Sequence, residues 1–168
     1  IKSREKSLAE AGYDKIVGLQ DIFTKEYKKE FKEINFEVNQ KIMLDLRDFL
    51  RRNTKHPEKI SIHFAVMEIE AWFLGLGKFV PKIFHGISVE KIKEKLNLDI
   101  MNDDPETTYV HPSEILNQIF QLAGKSYLKK DGHTIIIMEQ LRKNDYQDFL
   151  ESSFCNSFNE FYSEILDN

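Results

Sequence analysis

Apolar and polar positions change their period several times along this chain. The first distinct block is "IVGL", Ile16 to Leu19, which lies between Gly12 and the carboxylate of Asp21. A short apolar run with such borders predicts a buried strand of a parallel sheet. Residues 1–11 before it read as the end of a polar helix closed by Gly12. Residues 24–33, "TKEYKKEFKE", are charged apart from Tyr27 and Phe31 and predict a solvated loop or short helix. The period then becomes helical. Val38, Ile42, Leu46, Phe49 and Leu50 share one face, and Asn53 and Pro57 end the pattern. "KISIHFAV", 59–66, is rich in β-branched residues and predicts a second strand.

Directly after it, "MEIEAWFLGLG" switches to helical spacing through Ile69, Trp72, Phe73 and Leu76, until Gly75 and Gly77 stop it. Further on, "SVEKIKEKL" predicts a helix capped by Ser88, and "MNDDPETTY" a turn-rich loop. "HPSEILNQIFQLA" predicts a helix with Pro112 in its first turn and Gly124 at its end. "TIIIMEQLRKN" fits helix or strand, and "SFNEFYSEIL" predicts a closing helix with Phe158, Phe161, Ile165 and Leu166 inward. Strand, helix, strand, helix and then mostly helices imply an α/β fold: a small parallel sheet flanked by helices, with a helical C-terminal half.

Open parallel sheets bind ligands at the carboxyl ends of their strands. Asp21 and Glu68 each stand where a predicted strand ends. Glu70 follows two residues later, about 200° away on a regular helix. The two glutamates then flank the Ile69–Trp72 stripe on opposite sides and cannot aim at one point. An irregular junction would free Glu68 to point elsewhere. The ordinary reading is that glutamates in a first helical turn complement the macrodipole, and that Asp21 is a strand-end or capping residue. The chemical reading is that carboxylates gathered at two strand ends repel, and that a hard cation such as Mg²⁺ relieves this and aligns phosphate oxygens. Glu68 is the better ligand on this geometry, and Glu70 a supporting or helix-end residue.

Composition narrows the field modestly. A chain of 168 residues suggests one domain over 1–168, and 31% charged with 41% hydrophobic residues is ordinary for a globular protein. A net charge of −4 supplies no global attraction to nucleic acid or anionic lipid, so any basic surface must be local. The single cysteine, Cys155, permits no internal disulfide and fits a packing role in a reducing cytoplasm. No apolar run reaches the roughly 18 residues of a membrane span, and no signal peptide is visible. The first residue is Ile1 rather than Met, so the chain is expected to be processed or to be a fragment of something longer. Lys125, Lys129, Lys130 and His133 surround Tyr127: a solvated turn, or else a phosphate-contacting patch for nucleic acid. His63 reads as a satisfied face residue, and His111 as a helix-entry residue.

Four stretches in this order resemble a family. "IVGLQDIF" resembles an apolar strand ending in Asp-x-aromatic, and "MEIEAWFLG" a Glu-x-Glu-Ala-aromatic signature after a strand. "YLKKDGH" resembles a Tyr-x-Lys-x-x-Gly turn, and "CNSFNEF" a C-terminal Cys-x-x-Phe-Asn motif. Together they resemble the small TOPRIM-like bacterial proteins classed as a domain of unknown function, distant kin of the TOPRIM domains of topoisomerases, primases and overcoming-lysogenization-defect nucleases. The resemblance implies a TOPRIM-like fold in which Asp21, Glu68 and Glu70 serve phosphodiester chemistry, with Asp21 and Glu68 holding Mg²⁺ or Mn²⁺. It aligns Lys129 with the turn lysine. Two features depart from the full TOPRIM pattern. Nothing before Tyr13 resembles its early strand ending in glutamate, so the resemblance implies that this N-terminal strand is absent from this chain or from the protein, and Phe23 stands where Asp-x-Asp has its second aspartate. The expectation is a metal-dependent phosphodiesterase or nuclease in phage defence or DNA maintenance, with an ATPase partner. The alternative is a non-catalytic adaptor or nucleic-acid-binding module. The oligomeric state is open.

Overall fold

Two parallel strands, β1 (Ile16–Asp21) and β2 (Ile60–Ala65), form the sheet of the computed structural model, which describes residues 4–129 and 132–166. Their register runs from Ile16 opposite Ile60 to Asp21 opposite Ala65. Before β1 comes the short helix α1 (Glu5–Glu10), and between the strands lie α2 (Lys25–Glu30) and α3 (Phe36–Asn53). Residues 24–33 thus contain the short helix that their aromatics suggested. The Thr24 hydroxyl accepts the Tyr27 N–H at 3.2 Å to start α2, and Asn35 Oδ1 accepts the Val38 N–H at 3.1 Å to start α3.

Two expectations on burial change. The apolar run of β1 is not buried throughout: Ile16 is buried, whereas Leu19 and Gln20 are exposed. β1 has a ladder partner along one edge among the described residues, so it lacks the double cover of a central strand. On α3 the half-buried line is Val38, Ile42, Leu46 and Leu50, while Phe49 is 51% exposed. Val38 and Ile42 pack against the cluster of Phe23, Tyr27 and Met67, and Phe49 falls outside that cluster.

The helical half follows β2: α4 (Ile69–Gly75), α5 (Val80–Ile83), α6 (Val89–Leu96), α7 (Pro105–Thr108), α8 (Pro112–Leu122), α9 (His133–Gln140), α10 (Lys143–Glu151) and α11 (Asn156–Leu166). The fold is mixed α/β with a small parallel sheet, flanking helices and a helical C-terminal half. Helix α4 is its axle. Phe73 and Leu74 enter one core with Phe79, Ile92, Leu116 and Phe120, while Trp72 and Leu76 enter a second with Phe149 and Phe158. Burial on both sides makes α4 apolar nearly all round, as a central helix must be. The approach to α10 is so close that a Cβ on Gly75 would lie 2.4 Å from the Phe149 ring.

Three further differences have local causes. "TIIIMEQ" is helical, as α9, and only Ile137 of its apolar residues is buried. Residues 143–151, which carry no clear period, form α10. Ile165 and Leu166 are 48% and 64% exposed rather than inward, because α11 meets the core through its earlier turns at Ser157, Phe158 and Phe161. Among the described residues, no helix is long and apolar enough to cross a membrane.

Candidate active site

The strand ends are locked together beyond the ladder. Ile22 N–H reaches Ala65 O at 3.1 Å, and Phe23 N–H reaches Met67 O at 2.8 Å. Met67 then turns into the left-handed region, with φ 64°. Such a turn is uncommon for a residue with a side chain, and the fully buried packing of Met67 with Phe23 and Tyr27 offsets it. The turn leaves Glu68 extended, at φ −141° and ψ 155°, as the residue before α4. The junction is therefore irregular, and the 200° separation of a regular helix does not apply to Glu68 and Glu70. Phe23 is a core residue here, so the second Asp-x-Asp position carries no carboxylate.

Each acid has a defined partner. Asp21 Oδ1 accepts the Ile69 N–H at 3.1 Å, which ties the end of β1 to the first turn of α4. Glu68 Oε2 accepts the Ser113 N–H at 2.9 Å, at the start of α8. Glu70 is completely buried. Its Oε1 accepts the Tyr127 hydroxyl at 2.8 Å, and its Oε2 lies 2.8 Å from Lys129 Nζ. The same ammonium is 3.8 Å from Asp21 Oδ2. Lys129 thus stands between the carboxylates of Asp21 and Glu70, about half exposed, at the rim of the sheet.

The electrostatics follow from this grouping. Burial raises the Asp21 carboxyl above its ordinary value and the neighbouring Glu68 adds to that, while Lys129 and the Ile69 N–H oppose it. Burial would lower Lys129. Its contact with Glu70, helped by the charges of Asp21 and Glu68, outweighs this and leaves the lysine raised, hence cationic at neutral pH. Burial and the adjacent Glu70 drive the Tyr127 phenol far up, so it stays a neutral donor. The result, among the described residues, is an anion-rich rim with the solvent-reaching Lys129 ammonium at its centre.

The expected basic cluster is only partly assembled. Lys129 joins the acids. Lys125 is exposed, with its ammonium 5.6 Å from the centre of the Phe84 ring. His133 Nδ1 accepts the Leu128 N–H at 2.9 Å and its ring lies beside Phe120, so it shapes the loop that presents Lys129. Lys130 lies outside the described residues. Asn117 Oδ1 on α8 accepts the Tyr127 N–H at 2.9 Å and fixes the other end of that loop.

A second polar knot lies behind the rim and had no clear mark in the sequence. Glu106 on α7, which is 4% exposed, accepts the Trp72 indole N–H at 3.0 Å, the Ser157 N–H at 3.3 Å and the Ser157 hydroxyl. Asp104 Oδ1 accepts the Cys155 N–H at 3.1 Å. Two carboxylates from "NDDPETTY" therefore hold the start of α11, which explains why the "CNSF" stretch needs a small hydroxyl residue at Ser157. Cys155 is a buried free thiol that burial pushes far above its usual range, so it packs rather than reacts. The only hint of the knot was Pro105, a helix-start residue inside a presumed loop.

Burial raises Glu106 from 4.5 to about 7 despite its hydrogen bonds to Ser157 and Trp72. The folded state then binds a proton more tightly than the unfolded chain does. This contribution to stability is full below about pH 4.5 and is lost as the pH rises through about 7. Glu106→Gln is expected to remove that slope, which is worth up to about 3 kcal/mol at 1.36 kcal/mol per unit. Denaturant titrations at pH 4.5 and 8 on both proteins check it.

No protein-family model, curated protein or solved structure matches this chain.

Proposed function

We propose that this chain is a Mg²⁺- or Mn²⁺-dependent phosphodiesterase or nuclease of TOPRIM-like type. It would act on nucleic acid in a bacterial cytoplasm, in phage defence or DNA maintenance, beside a partner ATPase. One observation supports this above others: Asp21, Glu68, Glu70 and Lys129 lie together where two parallel strands end. That rim is where parallel sheets present chemistry.

Among the described residues, no three His, Cys, Asp or Glu side chains converge as a metal-holding group. The donor chemistry still suits Mg²⁺, which is commonly held by one or two carboxylates and takes other ligands from water and phosphate. Asp21 and Glu68 would be those carboxylates. The ion, when bound, would supply charge stabilisation at phosphate and a more acidic water. The chain's own part is positioning. Lys129 reaches solvent and can pair with a non-bridging phosphate oxygen. Glu70 sets the place of Lys129, and Tyr127 sets the place of Glu70.

The test is cleavage of labelled single-stranded DNA, duplex DNA and RNA with Mg²⁺ or Mn²⁺. Asp21→Asn is expected to lower the rate on the order of a hundredfold or more. No metal-stimulated cleavage by the unaltered chain, or equal rates in the variant, contradicts the reading. A second reading, a nucleic-acid-binding adaptor without catalysis, draws on the Lys129 ammonium already placed between Asp21 and Glu70. It predicts metal-independent nucleic-acid binding that Asp21→Asn leaves unchanged.

A further inference from the structure

A cavity of about 280 Å³ opens between α3, β2 and α11, toward the amino-terminal half of β2 and away from the acidic rim. Its α3 wall carries Arg47 and Arg51, one turn apart, with Leu50 between them. The β2 wall carries Ile62 and His63, and α11 contributes Glu164. Like charges at i and i+4 repel, so this arrangement opposes helix stability rather than aiding it. Among the described residues, neither guanidinium is strongly committed elsewhere. Arg47 lies 5.3 Å from the centre of the Phe64 ring, which orients it without neutralising it. Arg51 is 3.9 Å from Asp48, a pair in which both side chains are more than half exposed and therefore weak.

The acid of the cavity is matched by another cation. Lys15, 2.6 Å from Glu164, together with the Ser61 hydroxyl, holds the Glu164 carboxyl below its usual range. The wall thus keeps an excess of guanidinium charge in a chain whose net charge is −4. Guanidinium groups are the side chains best suited to phosphate, through paired N–H donors in one plane. Leu50 and Ile62 add apolar wall for the body that carries such a group.

We propose that this cavity is a phosphate-binding site, in which Arg47 and Arg51 hold the phosphate of a small phosphomonoester and His63 lies beside it. The ligand is a free nucleotide or the 5′-phosphate end of a nucleic-acid strand; the two share the recognised group. The site stands independently of the chemistry proposed for the rim.

His63 supplies a direct readout. Burial lowers its pKa, Arg47 and Lys15 lower it further, and Glu164 and Glu160 pull the other way. A phosphate dianion placed beside the ring raises it. The experiment is a proton-NMR titration of the full chain, following the His63 ring with adenosine, adenosine 5′-monophosphate, and a short oligonucleotide with or without a 5′-phosphate. The phosphate-bearing probes are expected to shift the resonance and raise the His63 pKa, while adenosine and the unphosphorylated strand do not. Preference for the monophosphate or for the phosphorylated strand identifies the source. Arg47→Ala and Arg51→Ala are each expected to weaken binding tenfold or more with unchanged circular dichroism, and Asp21→Asn to leave it intact. The proposal is overturned if no phosphate probe shifts His63, if the arginine variants bind as well as the unaltered chain, or if Asp21→Asn alone abolishes binding.

Discussion

Trp72→Ala is expected to destabilise the fold by about 3–5 kcal/mol, the range for deleting a large buried aromatic side chain. Domains of this kind hold about 5–15 kcal/mol in all, so one substitution removes a large share. The indole packs edge-on to Phe158 at 5.3 Å and stacks on Phe161 at 5.4 Å. Its N–H is also the donor that meets Glu106 Oε1 and Ser157 Oγ, both at 3.0 Å. Alanine leaves both a cavity and a buried carboxylate short of a donor. Trp72→Phe separates the two: it keeps most of the packing and loses the donor, at about 1–3 kcal/mol. Trp72 is the chain's only tryptophan, so unfolding is followed by circular dichroism rather than fluorescence. A cost near zero for the alanine variant would mean that α4 is not the axle described above.

Glu70→Ala is expected to cost about 2–4 kcal/mol and also to disable the rim. Breaking a fully buried ion pair costs about 3–5 kcal/mol, but Lys129 is 46% exposed, and its freed ammonium can turn to water. The Tyr127 hydroxyl, in a residue 6% exposed, has no such escape and loses its acceptor. Activity is expected to fall further than Lys129→Ala alone lowers it, because the loop of Tyr127 and Lys129 loses its anchor on α4. Glu70→Gln keeps the acceptor for Tyr127 and sets an amide against the lysine, so it is expected to be more stable than Glu70→Ala yet still impaired. Denaturation midpoints and cleavage rates on the three variants check the order.

The sequence made the strand ends legible because apolar runs ending in a charge are local signals. Asp21 closes β1 and Glu68 stands three residues past the end of β2, and the two strands and the longer helices follow from period, whereas α7 and α10 do not. Their roles were not local. Wheel geometry set Glu68 and Glu70 on opposite sides of a regular helix, favoured Glu68 as the ligand, and left an irregular junction open. The left-handed Met67 moves Glu68 off the helix to Ser113, and Glu70 becomes the residue bonded to Tyr127 and beside Lys129. Met67 carries no glycine-like mark that would announce this. Glu106 stayed hidden because its partners lie 34 and 51 positions away. The exposure of Leu19 depends on the width of the sheet, which no single segment encodes. The isoleucines of α9 favour a strand by propensity, and context decides otherwise.

The role proposed for the rim stands or falls on whether it holds a divalent cation. Calorimetric titration of the full chain with Mg²⁺, in parallel with Asp21→Asn and Glu68→Gln, tests this directly. The prediction is saturable binding of the ion to the unaltered chain, weakened at least tenfold in each variant while both remain folded. No binding by the unaltered chain, or equal binding by all three, would contradict it.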